Sequence, residues 1–359
     1  MKNPVDSIVS LVREEVLNPR SRDVVLRRYG LKHGRPETLE AIGQSYGITR
    51  ERVRQIENDV LKIIAKPRNL KALQPFFNDL EEYLKEHGNF RREDKIFEDY
   101  GYVCLPVSSA SSKSDQAGLQ KDFGKCKGAI YLLLNLGEPF QRVGETNEFH
   151  SVWTLNKATL KKASAILSKL IKKLDSQSVT VSLDEIIKWL QAEEMLLHPK
   201  EIHSFIDASK HVCQNSFGDV GLGHWPEISP RGVKDKAFVI MKKQNRPLHF
   251  TEVTELINEL LPNGRKAYMQ TVHNELIKDP RFVLIGRGVY ALTDWGYEPG
   301  TVVDVITGIL KKESPLTKSE ILEKVKKARL VKDNTVLINL QNKKLFQKLP
   351  DGRYALKTA

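Results

Sequence analysis

The chain has 359 residues, of which 40% are hydrophobic and 28% are charged, and its formal net charge is +12. This length exceeds what one hydrophobic core usually holds, so we expect two or more domains. The excess positive charge favours polyanionic partners, because neutralising phosphates releases condensed counterions. Ribosomal and membrane-surface proteins share this bias, and the charge by itself does not separate these classes.

The sequence carries no sign of export or of membrane insertion. Its first residues lack the basic start, apolar run and small-residue cleavage site of a secretion signal. The most apolar run, Ala129–Leu136, is far shorter than the ~20 residues that cross a bilayer. Cys104, Cys126 and Cys213 are scattered and form no CxxC pair, which argues against a disulfide framework or a thiolate zinc site. We therefore predict a cytoplasmic protein.

The first strong pattern is that of a helix followed by a tight turn. The stretch SRDVVLRRYG, at Ser21–Gly30, has apolar residues at helical spacing, and its glycine ends the helix. A polar loop, Leu31–Glu37, leads to Thr38, which caps the short helix LEAIGQSY. Gly47 then fits a tight turn, because glycine adopts a positive φ without steric cost. This pattern predicts the first half of a helix-turn-helix.

The helix after this turn divides into an apolar face and a polar face. Thr49 is a natural N-cap, and Val53, Val60 and Ile64 lie on the apolar face. The polar side chains crowd into the first turns, the part of such a helix that enters the major groove of DNA. Arginine there can bind guanine, glutamine can bind adenine, and glutamate accepts from cytosine. We predict base contacts by Arg50, Glu51, Arg54 and Gln55, and contacts to the DNA backbone by Thr38, Thr49, Arg52 and Lys62.

The alternative is a solvated charged face on an ordinary helix. The coincidence of the polar groups, the turn glycine and the cap favours DNA binding. In addition, LRRYGLKHGRPETLEAIGQSYGITRERVRQIENDVLKI resembles the fourth conserved region of housekeeping-type bacterial sigma factors. The likeness covers about residues 6–68, and TRERVRQIE is its most specific part. It implies that the helix Thr49–Ile64 reads a promoter -35 element and that the preceding helices contact the β flap of RNA polymerase.

The chain departs from complete sigma factors after Arg68. Those proteins carry a second region that binds core polymerase and melts the -10 element with clustered aromatic residues. Here the four tryptophans lie far apart in the sequence, and no basic helix carries adjacent ones. The resemblance therefore predicts a protein that does not open promoters alone.

The remainder of the chain repeats one order of predicted elements. A basic helix, a short strand, a capped helix, a third helix and a β-hairpin follow one another, as in a winged helix. We predict a mainly α fold with small β-hairpin wings, in which tandem winged-helix units follow the helix-turn-helix. A serine-rich stretch, Ser108–Gly118, is predicted to be a mobile loop or linker in the first winged-helix unit, residues 69–155. The predicted domains are residues 1–68, 69–155, 156–228, 229–299 and 300–359.

The unit at residues 229–300 resembles the HARE-HTH family of winged helices. PLHFTEVTELI, QTVHNELIKDPRFVLIGRGVYAL and the following Trp295 carry this likeness, and the amino-terminal domain of the RNA polymerase delta subunit belongs to the same family. The resemblance implies DNA binding or association with polymerase; protein docking is the alternative use of such units. The contacts expected if the units bind DNA are those of Gln270, Thr271, His273, Asn274, Arg287, Lys343 and Arg353.

Motifs for catalysis and cofactor binding are not found in the sequence. GxxxxGK[ST], HExxH, GxSxG and a GxGxxG that follows a strand do not occur. The only close cluster of His and Cys, formed by His203, His211, Cys213 and His224, has no common zinc spacing. We therefore predict that the protein is not an enzyme and holds no cofactor or metal.

Together these patterns predict a nucleoid-associated transcription regulator that binds double-stranded DNA and bacterial RNA polymerase. One alternative is an interaction protein that docks on the β flap as a competitor or recruiter, with little DNA reading. Another is an accessory DNA-binding protein of a modification or restriction system.

Overall fold

The computed structural model describes residues 3–101, 113–260, 266–297, 300–329 and 331–357. The protein is mostly helical, with small antiparallel sheets of two or three strands, which confirms the predicted fold class. It divides into two compact units, Met1–Gln214 and Asn215–Ala359. The finer division into five domains stays a prediction. In the described ranges, none of the helices combines the length and the apolar character needed to span a lipid bilayer.

Four helices begin the first unit, and side chains cap each of them. The helices are α1 (Pro4–Glu15), α2 (Pro19–Arg28), α3 (Leu39–Tyr46) and α4 (Arg50–Ile64). The predicted caps are confirmed, since Thr38 accepts from the N–H of Ala41 and Thr49 accepts from that of Arg52. Gly47 ends α3 with a φ of 62°, the left-handed conformation expected of the turn. Local sequence thus determines where these helices begin and end.

Six further elements complete the amino-terminal half of this unit. They are α5 (Pro67–Glu86), β1 (Phe90–Arg92), α6 (Glu93–Gly101), α7 (Lys113–Leu136), β2 (Gln141–Val143) and β3 (Val152–Thr154). β3 is the central strand of an antiparallel sheet of order β1-β3-β2, with Trp153 opposite both Arg91 and Arg142. The order of helix, strand, two helices and hairpin is the one predicted for the repeated units.

The stretch Ser108–Gly118, predicted as a loop, is only partly described. Residues 108–112 lie outside the described residues, whereas residues 113–118 form the first turns of α7, so the loop prediction is wrong for these. The physical reason lies in the sequence DQAGLQK that follows Ser114. Serine and aspartate favour the first turn of a helix, and alanine, leucine, glutamine and lysine favour its continuation.

One hydrophobic core joins the helix-turn-helix region to the elements after residue 68. It includes Ile8 and Val12 of α1, Val60 and Ile64 of α4, Leu73 and Phe77 of α5, and Ile130 and Leu133 of α7. A smaller core between α2, α3 and α4 consists of Val24, Ile42 and Val53. Each such side chain contributes about 1.5–3 kcal/mol when fully buried. The packing therefore has no break at residue 68, and the first four helices depend on α5 and α7.

The first unit continues with three helices and two short strands. These are α8 (Ala158–Gln177), β4 (Val181–Ser182), α9 (Leu183–Ala192), α10 (Pro199–Ala208) and β5 (Val212–Gln214). α10 packs on β1, where the Ser204 hydroxyl donates to the carbonyl of Phe90. Arg91, only 5% exposed, donates to Asp207 over 2.7 Å, to Asp99 over 3.0 Å and to the Tyr83 hydroxyl over 3.0 Å. A buried guanidinium thus connects β1 to α5, α6 and α10.

His203 extends this buried network and should make the stability of the first unit depend on pH. Its Nδ1 lies 3.1 Å from Oδ2 of Asp207. The hydrogen bond to Asp207 raises the pKa of His203, although burial opposes it. Burial acts to raise the pKa of Asp207, but the hydrogen bond and charge of His203 and the charge of Arg91 outweigh it, so this pKa is lowered.

These two shifts define the pH range in which the His203–Asp207 pair stabilises the fold. A raised histidine pKa contributes stability that is complete below the ordinary value of about 6.5 and is lost as the pH rises through the folded value. A lowered aspartate pKa contributes stability that is lost as the pH falls through its folded value, below about 3.9. We predict that His203→Gln removes the loss of α10 hydrogen-exchange protection between pH 6 and pH 8. His211→Gln, at an exposed position, should keep the wild-type pH profile; an unchanged profile in His203→Gln would contradict the prediction.

The described part of the second unit shows nearly the same order of elements twice, and each copy packs around a hydrophobic core. Its elements are β6 (Asp219–Leu222), α11 (Val233–Gln244), β7 (Leu248–His249), α12 (Phe250–Leu260), α13 (Met269–Lys278), β8 (Phe282–Leu284), β9 (Val289–Leu292), α14 (Val302–Lys312), α15 (Lys318–Ala328), α16 (Asp333–Leu340), β10 (Phe346–Lys348) and β11 (Tyr354–Leu356). One core lies among α11–α13 and a sheet of order β7-β9-β8. The other lies among α14–α16 and the β10-β11 hairpin, where a single bridge between Leu316 and Tyr354 replaces the first strand.

Candidate nucleic-acid interface

The support for α4 is a set of polar contacts between α2, α3 and the loop that joins them. Arg27 donates to both carboxylate oxygens of Glu37, over 3.0 and 2.6 Å, and to the Ser45 hydroxyl over 2.9 Å. The hydrogen bond from Arg27 lowers the pKa of Glu37, which keeps this carboxylate ionised. The Tyr46 hydroxyl donates to Asp23 over 2.6 Å. These contacts hold α3 and the turn against α2, so that α4 leaves the turn in a defined direction.

All four predicted base readers are exposed on the first two turns of α4. Arg50, Glu51, Arg54 and Gln55 face solvent, while Val53, Val60 and Ile64 are buried on the opposite side of the helix. The structure therefore places the predicted set on one accessible surface.

Two pairs of these polar side chains contact each other in the protein alone. Arg54 donates to the carboxylate of Glu51 over 2.9 and 2.7 Å, and Arg52 donates to Gln55 over 3.0 Å. Arg54 and Glu51 are 52% and 58% exposed, and ion pairs at such positions contribute little to stability. They can therefore be exchanged for contacts with bases. The hydrogen bond from Arg54 also lowers the pKa of Glu51, so this carboxylate acts as an acceptor at neutral pH.

The residues predicted to bind the DNA backbone occupy three different places. Thr38 and Thr49 lie at the amino termini of α3 and α4, where the backbone N–H groups and the helix dipole favour an anion. Arg52 is exposed near the start of α4, and Lys62 is exposed about 15 Å farther along the helix. Thr49 and Arg52 therefore lie beside the base readers, whereas Thr38 lies at the opposite end of α3 and Lys62 lies farther along α4.

A contact that sequence reasoning missed fixes the loop in front of α3. Gly124 and Gly128 of α7 lie against the backbone of this loop: a Cβ on Gly124 would be 1.8 Å from the carbonyl oxygen of Gly34, and one on Gly128 would be 1.8 Å from that of Tyr29. Residues four apart share one face of a helix, so the two glycines form a flat strip there. The sequence signal was GKCKG inside an otherwise helical segment, since a helical glycine usually has a packing reason.

The predicted contact residues of the 229–299 unit are not equivalent in the structure. Gln270, Thr271 and Asn274 are exposed on α13, and Arg287 is exposed in the turn between β8 and β9. His273 is half-buried, with its ring centre 4.6 Å from that of Phe250 and 5.9 Å from that of Tyr290. The imidazole thus packs against these two rings inside the unit, whereas the amides of Gln270 and Asn274 face solvent.

In the last unit the predicted contact residues belong to a strongly basic segment. Residues 300–359 contain 13 lysines and arginines against six acidic residues, so they carry +7 of the net charge of +12. Lys343 and Lys344 are exposed between α16 and β10, and Arg353 in the hairpin is paired with Asp351 over 2.7 Å. α16 exposes Ile338, which is 69% accessible. This surface suits phosphates better than base edges.

The His and Cys residues that lie close together in the sequence have other partners in the structure. His203 is engaged with Asp207, as described above, and His224 stands against the ring of Trp225. Within the described ranges, no three His, Cys, Asp or Glu side chains are placed to hold a metal ion together.

Comparison with known proteins places one family on the helix-turn-helix. Residues 15–65 match the family described as "Sigma-70, region 4". The RNA polymerase sigma factor SigA1 of Synechococcus elongatus is 42% identical over 82 residues, which cover 21% of this chain and 21% of that protein. SigA of Nostoc sp. and SigA of Microcystis aeruginosa are likewise 42% identical over 82 residues, covering 21% of this chain and 21% and 20% of theirs.

The amino-terminal helix-turn-helix is therefore similar to region 4 of sigma factors. The chain spans about a fifth of the length of the curated relatives that it matches. The family match ends at residue 65, just before α5 begins at Pro67. The likeness of residues 229–300 to HARE-HTH domains stays a prediction.

Proposed function

We propose that this protein is a DNA-binding transcription regulator whose region 4 motif selects sequences related to a promoter -35 element. The observation that carries the proposal is the exposed polar face of α4, where Arg50, Glu51, Arg54 and Gln55 lie together on the first two turns. Contacts between α2 and α3 hold α4 in position, so these four exposed side chains are not needed for the packing of the motif. The names of the relatives, RNA polymerase sigma factors, agree with this reading.

In the proposed complex, α4 enters the major groove with its amino terminus foremost. Arg54 leaves the carboxylate of Glu51 and donates to guanine instead, and Gln55 binds an adenine edge. The ionised Glu51 then accepts a hydrogen bond from cytosine. Thr38, Thr49 and Arg52 bind phosphates and fix the register of the helix. Each good base contact discriminates against a wrong base by about 1–3 kcal/mol.

The remaining units hold flanking DNA or polymerase in this proposal, in the cytoplasm and on the nucleoid. Lys343 and Lys344 of the last unit bind phosphates, and Gln270, Thr271, Asn274 and Arg287 form the surface of the 229–299 unit. Linking several modest binders in one chain raises the overall affinity through effective concentration. Lacking the clustered aromatics that melt the -10 element, the protein marks a promoter that other proteins open.

The proposal predicts a specific change in base preference when Arg54 is removed. Arg54→Ala should weaken binding to the preferred site by about 1–3 kcal/mol and flatten the preference at one base position. Selection from a randomised duplex library with the full chain measures both effects. Lys62→Ala is the matched control, because Lys62 lies away from the base readers and loss of its phosphate contact should weaken all sequences alike and reduce the salt dependence. Unchanged base preference in Arg54→Ala would exclude the assigned role.

A groove between α1 and α5 favours a second candidate function, which is docking on the β flap of RNA polymerase. α1 and α5 enclose about 740 Å³ between the apolar side chains of Leu11, Leu73 and Phe76. Asp6 and Glu14 lie on its rim, so the groove suits an amphipathic helix with basic residues. If Arg54→Ala leaves base preference unchanged and the full chain binds core polymerase without DNA, this second function is the better one.

A further inference from the structure

A cleft of about 510 Å³ lies beside α4 in the first unit, and the proposed function does not use it. It is enclosed by α2, the loop before α3, α6, α7 and β2. Its size falls within the range of about 300–1,000 Å³ that is typical of small-molecule sites. Such sites combine an apolar body with a few converging polar groups.

Aromatic side chains form the apolar part of this cleft. Tyr131 lines the cleft, and its ring centre lies 6.2 Å from that of Tyr29 and 6.3 Å from that of Phe97. Gly124 and Gly128 line the same space and present backbone without side chains. Their Cβ positions are filled by the carbonyl oxygens of Gly34 and Tyr29, so the aromatic rings supply the wall against which a planar ring would lie.

The charges around the cleft favour an anion. Its lining contains three cations, Arg28, Lys127 and Arg142, against two carboxylates, Glu57 and Glu93. Glu93 is already engaged, since it accepts two hydrogen bonds from Arg142, over 2.6 and 2.9 Å, and one from the indole of Trp153 over 2.8 Å. Arg28 is paired in the same way with Glu57, which lies 3.4 Å away, so the positive excess is that of Lys127.

We propose that this cleft binds a small aromatic anion, with its ring beside Tyr131 and its charged group toward Lys127. Arg28 belongs to α2, and Glu57, which lies 3.4 Å from Arg28, belongs to α4. A ligand in the cleft thus touches the helix that carries the base readers. Any difference in its affinity for the free and the DNA-bound protein changes DNA affinity by the same factor.

Anilinonaphthalene sulfonate is a suitable probe, because its neutral relative phenylnaphthylamine has the same rings without the charge. We expect one molecule of the sulfonate to bind the full chain with enhanced fluorescence, and to bind more tightly than the neutral compound. Lys127→Ala should weaken the sulfonate about fivefold, the order expected for one partly exposed charge contact, and leave the neutral compound unaffected. Asn135→Trp, at an exposed position on the rim, should block both compounds.

Lys121→Ala is the matched control, since Lys121 is exposed on the same helix outside the cleft lining. Its affinity for the sulfonate should equal that of the wild type, and unchanged circular dichroism melting checks that each variant folds. Equal sulfonate affinity in Lys127→Ala, Asn135→Trp and the wild type would overturn the proposal. So would equal wild-type affinity for the charged and the neutral compound. Neither result bears on base preference, which the Arg54→Ala selection measures independently.

Discussion

Replacing Gly128 by alanine should destabilise the first unit by about 2–3 kcal/mol, the cost of overpacking a site that cannot relax. The new Cβ would lie 1.8 Å from the carbonyl oxygen of Tyr29 and 3.0 Å from its carbonyl carbon. Both are backbone atoms, so no flexible side chain can move aside. Either α7 or the end of α2 must shift, and each shift loosens the packing of Ala129 and Ile130 in the shared core.

Hydrogen exchange in the full chain measures this effect where it arises. The amides of α4 and α7 should lose protection together in Gly128→Ala, because both helices belong to one core. Gly118→Ala is a matched control on the same helix: nothing lies within 4 Å of its added Cβ, so it should stabilise by up to about 1 kcal/mol through helix propensity. Equal protection in Gly128→Ala and the wild type would show that α7 does not depend on this close approach.

The second large effect is expected at Arg91. Arg91→Met should destabilise the contact between α10 and β1 by about 3–5 kcal/mol, because it leaves a mostly buried Asp207 without its guanidinium partner. The hydroxyl of Tyr83 loses the same partner. Protection of the α10 amides against hydrogen exchange and the melting temperature both report the loss.

A double variant separates the loss of the ion pair from the loss of packing. Arg91→Met combined with Asp207→Leu should recover much of the stability, since replacing both partners of a buried pair by apolar groups of similar size is often neutral. If the single variant Arg91→Met were as stable as the wild type, the network would have no structural role. If the double variant were no better than the single one at pH 8, where the His203–Asp207 pair contributes least, the guanidinium would act mainly through Asp99 and Tyr83.

The 229–299 unit shows where sequence reasoning reaches its limit. The exposed positions of Gln270 and Asn274 follow from helical periodicity, which places them away from the buried Val272 and Leu276. The half-buried position of His273 does not follow, because the ring of Phe250, twenty-three residues earlier, decides it. An imidazole is compatible with burial and with exposure, and only its neighbours in space determine which of the two it adopts.

The sequence by itself determined the helix-turn-helix, from the capping threonines to the polar first turns of α4. Caps, turn glycines and helical periodicity act over a few residues, so a local pattern is sufficient to predict them. The tertiary structure alone decided that α5 and α7 complete the core of this motif, that Arg91 meets Asp207, and that a cleft opens beside α4. These features join residues that lie up to 116 positions apart in the chain. No local period records such pairs, because the free energy that selects them comes from apolar surfaces and charges that meet only after the chain has folded.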